Sequence, residues 1–246
     1  MSVSVQWLPM SWLTVRTQRA VVHIDPVYAG SMFDLFSMML FPRSFSKAER
    51  VAGGLEAGDL ILISHDHLDH CSRGMVERLS KEGTKVLAPP SCRKKLGALM
   101  TEMGAGKTAE VGDVEVRAVP AYNPLGSRRM AYHPEGRGVG YVISAGGMRI
   151  YHAGDTGLTE EMGALGPIDV AFLPIGGRFT MTVDEAVEAV RQVRPWIAVP
   201  VHMLKADPQE FRSKVEKVTD TEVVVLRPGE RTHLGLRPPR PDESKL

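Results

Sequence analysis

The sequence predicts an α/β domain, and three observations carry that prediction. Short β-branched runs alternate with helical patterns along the chain, and no long linker divides them. Residues with acid, base and metal-ligand chemistry recur just past the C-terminal ends of those runs. The densest such group, Ser64-His65-Asp66-His67-Leu68-Asp69-His70, follows directly on the apolar run Leu60-Ile61-Leu62-Ile63.

Taken in order, residues 3–12 mix Val, Ser, Gln, Trp and Pro as an ordinary first strand does. Val21-Val22-His23-Ile24 reads as a strand that ends at Asp25-Pro26, where proline offers no N–H to a ladder. The Leu60 run has no polar alternation, so it reads as a strand buried on both faces. A helix is expected over 74–81, then strands at Lys85-Val86-Leu87 and at 114–119, the latter with period-two alternation. Gly140-Tyr141-Val142-Ile143 and Met148-Arg149-Ile150-Tyr151 flank Gly146-Gly147, a hairpin signal. Val170-Ala171-Phe172-Leu173 and Ile197-Ala198-Val199 are further strands. The helix between them opens on a capping box, Thr182 with Glu185. Val183, Ala186, Val187, Val190 and Val193 continue it at helical spacing, and Pro195 stops it. Asp207-Pro208 supplies a cap and first turn for a last helix through residue 218. The domain is expected over residues 1–236, with 237–246 a frayed, Pro- and Arg-rich tail. No short-period repeat is evident.

Composition narrows the function. Among 246 residues, 30 Lys and Arg oppose 29 Asp and Glu, and the formal charge of +1 gives no field for nonspecific nucleic-acid or membrane attraction. Two cysteines, Cys71 and Cys92, make no disulfide framework and suit a reducing interior. No apolar run reaches membrane-spanning length and no signal-peptide pattern opens the chain, so a soluble cytoplasmic protein is expected. The histidine cluster points to a metal site. Imidazole is the commonest biological metal ligand, and crowding imidazoles and carboxylates at one strand end would be costly for packing alone. Asp25, His65, Asp155 and His202 each close a predicted strand, and Asn123 sits similarly after 114–119. Loops at one sheet edge can bring these distant residues together.

With these residues in view, the chain resembles the metallo-β-lactamase-fold hydrolases. His65-Asp66-His67-Leu68-Asp69-His70 fits their His-x-His-x-Asp-His signature. Ala153-Gly154-Asp155-Thr156 is similar to their segment carrying a bridging carboxylate, His202 to their last ligand and Asp25 to their first aspartate. Ala121-Tyr122-Asn123, His133-Pro134-Glu135-Gly136 and Gly138-Val139-Gly140-Tyr141 resemble the small single-domain branch that includes ascorbate-phosphate lactonase relatives. The resemblance implies a four-layer αββα sandwich with two divalent metal ions along one edge, zinc first and manganese second. Redox iron is disfavoured because the diiron proteins of this fold usually carry a carboxylate where His67 stands. His65, His67 and His133 would hold one ion, Asp69, His70 and His202 the other, and Asp155 would bridge them. The family usually places a histidine near Asn123, so His133 is the expected replacement, the alternative being a surface or substrate-facing histidine.

The implied chemistry is hydrolysis of a small ester, lactone or phosphodiester by hydroxide held between the metals, whose charge lowers the pKa of water from about 15.7 towards neutrality. Asp69 would shuttle a proton to the leaving group, and Asp25 would orient an imidazole by accepting its N–H. Two rivals stay open: a nuclease of the same fold, disfavoured by the neutral charge, and a non-catalytic metal-binding protein, kept alive by Asn123. The expected partner is a small-molecule substrate, with no membrane and with nucleic acid disfavoured, and a homo-oligomer remains open.

Weaker signals divide between function and packing. His152 suits either the site or the core, His23 and His233 read as structural or exposed, and Cys71 reads as a pocket neighbour rather than a ligand. Asp66, in a variable place of the motif, is expected to face solvent or a polar partner. Gly104-Ala105-Gly106-Lys107-Thr108 is rejected as a nucleotide loop, because Thr101 stands where the first glycine belongs. Gly138-Val139-Gly140 fails the dinucleotide pattern at Ile143. Gly176-Gly177 is either a close approach to the metals or a tight turn. The Met- and Phe-rich residues 31–45 read as core first, with a pocket cap or dimer contact as the alternative. Arg128, Arg129 and Arg137 read as a solvated loop, with anion binding as the alternative.

Overall fold

The structure, a computed structural model, describes residues 3–8, 10–27 and 55–234. Residues 31–45 and the tail at 237–246 lie outside them. The described strands form two seven-stranded sheets. The first contains β1 (Val3–Trp7), β2 (Leu13–Arg16), β3 (Val21–Ile24), β4 (Gly58–Leu62), β5 (Ser80–Ala88), β6 (Thr101–Glu102) and β14 (Arg231–Leu234), in the order β14-β1-β2-β3-β4-β5-β6. The second contains β7 (Thr108–Val111), β8 (Val114–Ala121), β9 (Gly138–Ala145), β10 (Met148–His152), β11 (Val170–Pro174), β12 (Ile197–Val201) and β13 (Glu222–Val223), ordered β13-β12-β11-β10-β9-β8-β7. Each sheet is antiparallel on one side and parallel on the other: β3 through β6 pair in parallel, as do β10 through β13.

Side-chain alternation builds the layers. In β4 and its extension, Leu60 and Leu62 enter the core between the sheets, while Ile61 and Ile63 enter the cluster under α1 (Arg73–Leu79) and α2 (Arg93–Leu96). The unbroken apolar run thus serves two cores at once. In β11, Val170 and Phe172 face the other sheet, and Ala171 and Leu173 face α3 (Val183–Val193) and α4 (Pro208–Val218). Two inner sheets between two outer helix layers make the four-layer αββα sandwich.

The capping box at Thr182 and Glu185 forms, with Thr182 Oγ1 accepting from Glu185 N and Glu185 Oε2 accepting from Thr182 N. Asp207 caps α4 by accepting from Gln209 N. The helix expected over 74–81 ends earlier, at Leu79, because the chain enters β5 at Ser80. The 104–108 segment is a turn, closed by Lys107 N on Gly104 O, that leads into the edge strand β7 rather than a helix. No helix among the described residues is long and apolar enough to cross a membrane.

Candidate metal centre

The site lies where parallel strands end. Asp25 follows β3, the histidine motif follows β4, Asp155 follows β10 and His202 follows β12. The chain leaves the sheet sharply at two of these points, where Asp25 (φ 49°) and His202 (φ 45°) take left-handed backbone. Non-glycine residues rarely adopt that region, and its cost concentrates at functional sites. The motif itself is a short turn closed by His70 N and Cys71 N on His67 O, after which Ser72 Oγ caps α1 by accepting from Met75 N. That turn is too tight for its side chains to spread along a strand, so four potential ligands leave from one point.

The seven predicted ligands converge in three overlapping groups: His65, His67 and His133; His65, His70 and Asp155; Asp69, His70 and His202. Within each group the ligand atoms lie within 4.8 Å of one another. His133 Nε2 is 3.2 Å from His67 Nδ1 and 3.4 Å from Asp155 Oδ2. His202 Nε2 is 3.4 Å from the same Asp155 oxygen and 3.5 Å from Asp69 Oδ2, and His70 Nε2 is 3.4 Å from Asp155 Oδ1.

Hydrogen bonds behind the ligands fix their orientation. Asp25 accepts from Ser64 N at 2.6 Å, from Ser64 Oγ at 2.6 Å and from His70 Nδ1 at 2.8 Å. Ser64 Oγ in turn accepts from His65 Nδ1 at 2.9 Å. One buried carboxylate thus supports both rings from behind, leaving Nε2 of His65 and His70 facing inward. His133 is turned the same way, since its Nδ1 donates to Phe179 O at 3.1 Å. Ser64 and the Phe179 carbonyl were not singled out from the sequence. Serine directly before a histidine motif is a weak cue, and a backbone carbonyl leaves none.

Whether these residues fit a cation can be tested on buried polar atoms. His65 Nε2, His70 Nε2, Asp155 Oδ1 and His202 Nε2 are buried without a hydrogen-bond partner. Orphaned groups of this kind are rare in folded proteins. Imidazole nitrogens and carboxylate oxygens facing one another suit zinc and its neighbours, so the residues fit divalent metal ions.

Charge is uneven across the cluster. Burial, reinforced by neighbouring imidazoles, pushes His65 well below its ordinary value, and burial takes His133 down to about 4 against the pull of Asp155. Burial likewise lowers His67. Burial opposes charge on His70 and His202 too, but there it is outweighed by carboxylates, Asp155 foremost, and both are raised. For Asp69 and Asp155, burial is outweighed by the imidazoles of His70 and His202, which hold both carboxyls below the usual range. Buried carboxylates thus draw protons onto His70 and His202, and cations in the same space would take the place of those protons.

The weaker signals resolve mostly towards structure. His152 Nε2 donates to Ser11 O and its Nδ1 accepts from Gly154 N, so it is a satisfied core histidine. His23 is likewise buried, bonded to Thr14 Oγ1 and Glu56 O, while His233 is exposed on β14. Cys71 is buried under α1 and belongs to none of the three groups. Asp66 has a polar partner, a two-pronged ion pair with Arg137 at 3.0 and 2.9 Å. Arg129 points inward, to Gly177 O, Thr180 O and Glu185, while Arg128 and Arg137 are exposed. The arginines are therefore neither a common anion site nor uniformly solvated. Gly176 and Gly177 combine both readings: a Cβ on Gly176 would lie 2.6 Å from His202 O, and Gly177 (φ 74°) closes a turn through Met181 O. Asn123 stands beside the site, its Nδ2 donating to Arg129 O and Phe179 O.

Comparison with known proteins agrees with this architecture. The beta-lactamase superfamily domain profile matches residues 4–202. A UPF0173 metal-dependent hydrolase from Staphylothermus marinus is 38% identical over 186 residues, 70% of this chain and 76% of that protein. Another from Methanopyrus kandleri is 33% identical over 243 residues, 92% of this chain and 97% of that one. Among solved structures, Igni18, a metallo hydrolase from Ignicoccus hospitalis, superposes with a TM-score of 0.76 at 28% identity over 96% of this chain and 100% of that chain. The chain belongs to the UPF0173 metal-dependent hydrolases of the metallo-β-lactamase fold.

Proposed function

We propose that the protein is a dinuclear hydrolase of small esters, lactones or phosphodiesters, with zinc the first expected ion and manganese the second. The position of Asp155 carries this reading. One of its oxygens is 3.4 Å from both His133 and His202, and the other is 3.4 Å from His70, so a single carboxylate faces both halves of the cluster. One cation of this kind takes about four donors, and the seven residues here exceed that. His65, His67 and His133 would hold one ion, Asp69, His70 and His202 the other, and Asp155 would lie between them. Cations bound there supply Lewis acidity and bring the pKa of water towards neutrality.

The chain's own groups do the rest. Asp69 is 28% exposed, whereas His70, His202 and Asp155 are at most 3% exposed, so of the carboxylates in the cluster Asp69 is the one that reaches open space, beside the half-buried imidazole of His67. Ionised at neutral pH, it accepts a proton from the attacking water and returns it to the leaving oxygen. A net charge of +1, with Arg129 and Arg137 engaged internally, offers little attraction to a polyanionic chain and favours a small substrate.

Protein purified without chelator should contain close to two ions per chain and hydrolyse bis-nitrophenyl phosphate or members of an ester and lactone panel. Asp69→Ala should abolish turnover. Stoichiometric metal with no turnover on any of these would favour a binding protein, and cleavage of oligonucleotides alone would favour a nuclease.

A further inference from the structure

Asn123 occupies the place where a histidine ligand is expected, and its side-chain nitrogen holds two loops together, while its buried Oδ1 has no hydrogen-bond partner. Its Nδ2 donates to Arg129 O at 2.8 Å, within the 124–132 loop, and to Phe179 O at 2.8 Å, within the 176–182 loop. Its own backbone N donates to His133 O at 2.8 Å, which closes the first loop at its base. Arg129 fastens the same two loops from the other side. Its Nη1 donates to Thr180 O at 2.9 Å and Gly177 O at 3.4 Å, and its Nη2 bonds the Glu185 carboxylate. Glu185 is itself fixed by accepting from Thr182 N at 2.7 Å in the capping box of α3. The second loop is anchored beside the centre, because Met181 N donates to Thr156 O, next to Asp155.

These bonds converge on one imidazole. The Phe179 carbonyl that accepts from Asn123 also accepts from His133 Nδ1, which leaves His133 Nε2 directed at His67 and Asp155. His133 comes from a loop rather than a strand end, so nothing in the sheets themselves fixes its direction. We propose that Asn123 and Arg129 are positioning residues that latch the 124–132 loop onto the 176–182 loop and thereby aim His133 at the metal centre. Occupancy of one cation position then depends on a latch whose residues lie outside the three candidate ligand groups. The inference rests on His133 being a ligand, as proposed above. Arginine suits the task because its planar fork meets two carbonyls and a carboxylate together, which a lysine ammonium at one point does not.

Cobalt(II) titration of the metal-stripped full chain tests it, following the visible absorption bands of each bound ion. Asn123→Ala and Arg129→Met should leave the Asp69–His70–His202 ion at wild-type affinity and weaken the other by roughly 10–100-fold, the usual effect of removing a ligand's supporting partner. His133→Ala should weaken the same ion. The double variant Asn123→Ala/His133→Ala should be no weaker than His133→Ala alone, because a residue acting through His133 has nothing further to lose. Thermal melts of the metal-stripped variants identify any that fail to fold, and Arg129→Met provides the second route if Asn123→Ala is one. Wild-type affinity for both ions in Asn123→Ala and Arg129→Met, with one ion lost in His133→Ala, overturns the latch alone. Additive losses in the double variant also overturn it. Wild-type binding of both ions in His133→Ala overturns the ligand reading beneath it.

Discussion

Gly176→Ala is a sharp test of how closely the sheet edge is fitted to the centre. Gly176 follows β11, and a Cβ there would stand 2.6 Å from the carbonyl oxygen of His202 and 3.0 Å from two side-chain carbons of Leu204. Ordinary contact begins at 3.4 Å, so the methyl group is short of room by about 0.8 Å against a backbone atom that cannot rotate away. Gly176 is not among the positive-φ glycines, so the effect of alanine is steric rather than conformational. Metal–ligand lengths tolerate only roughly 0.2 Å, and His202 already sits in left-handed backbone with little freedom to adjust. Moving its backbone by several times that tolerance should weaken the ion proposed at Asp69, His70 and His202 by at least roughly 10-fold, comparable to losing a supporting partner. Isothermal titration of zinc into the metal-stripped protein measures this directly. Gly74→Ala is the control: nothing lies within 4 Å of its Cβ, and in helix α1 the change should stabilise by about 0.5–1 kcal/mol without touching metal binding. Unaltered zinc affinity in Gly176→Ala would refute the reasoning.

Two further outcomes follow from buried polar groups. Asp25→Ala leaves Ser64 N, Ser64 Oγ and His70 Nδ1 without their acceptor, and should lower stability by about 3–5 kcal/mol in urea unfolding and metal affinity by roughly 10–100-fold. His23 is lowered from 6.5 to about 4, chiefly by burial, so the unfolded chain takes up its proton more readily than the folded one. Its contribution to stability is therefore intact above about pH 6.5 and is lost as pH falls towards about 4, amounting to about 3 kcal/mol at the acid end. Urea midpoints across that range should fall more steeply for wild type than for His23→Gln, and parallel curves would count against the assignment.

Much of this was legible in the sequence because the decisive residues have few alternative uses. The Leu60-Ile61-Leu62-Ile63 run has no polar face, which only a strand between two apolar layers accommodates, and that is how it packs. Thr182 and Glu185 announce a helix start through local hydrogen bonding alone. Six of the seven predicted ligands meet because they follow neighbouring strand ends at one edge of the two sheets, and His133 joins them from the loop between β8 and β9. What was illegible depends on partners without a side-chain signature. β7 and β14 are edge strands of mixed polarity, half exposed, and carry little pattern. Arg129 resembles any loop arginine in sequence, since two of its partners are backbone carbonyls. Residues 114–119 underestimate β8, which runs on through Pro120 to Ala121, because proline reads as a stop.

The provenance of the ligands has a mechanical consequence. Asp69, His65, His67 and His70 extend from the first sheet, whereas Asp155 and His202 extend from the second and His133 from the loop between two of its strands. Elsewhere the sheets adhere mostly through apolar side chains, whose packing has little direction, with few hydrogen bonds between them such as Tyr141 Oη to Ile63 O. Cations gripped from both sides would act as a rivet through the seam, fixing the register of one sheet on the other at the edge where chemistry requires it. Withdrawing them should loosen that edge first, so that chelation registers as faster amide exchange at the tips of β4, β10 and β12 before it registers as unfolding.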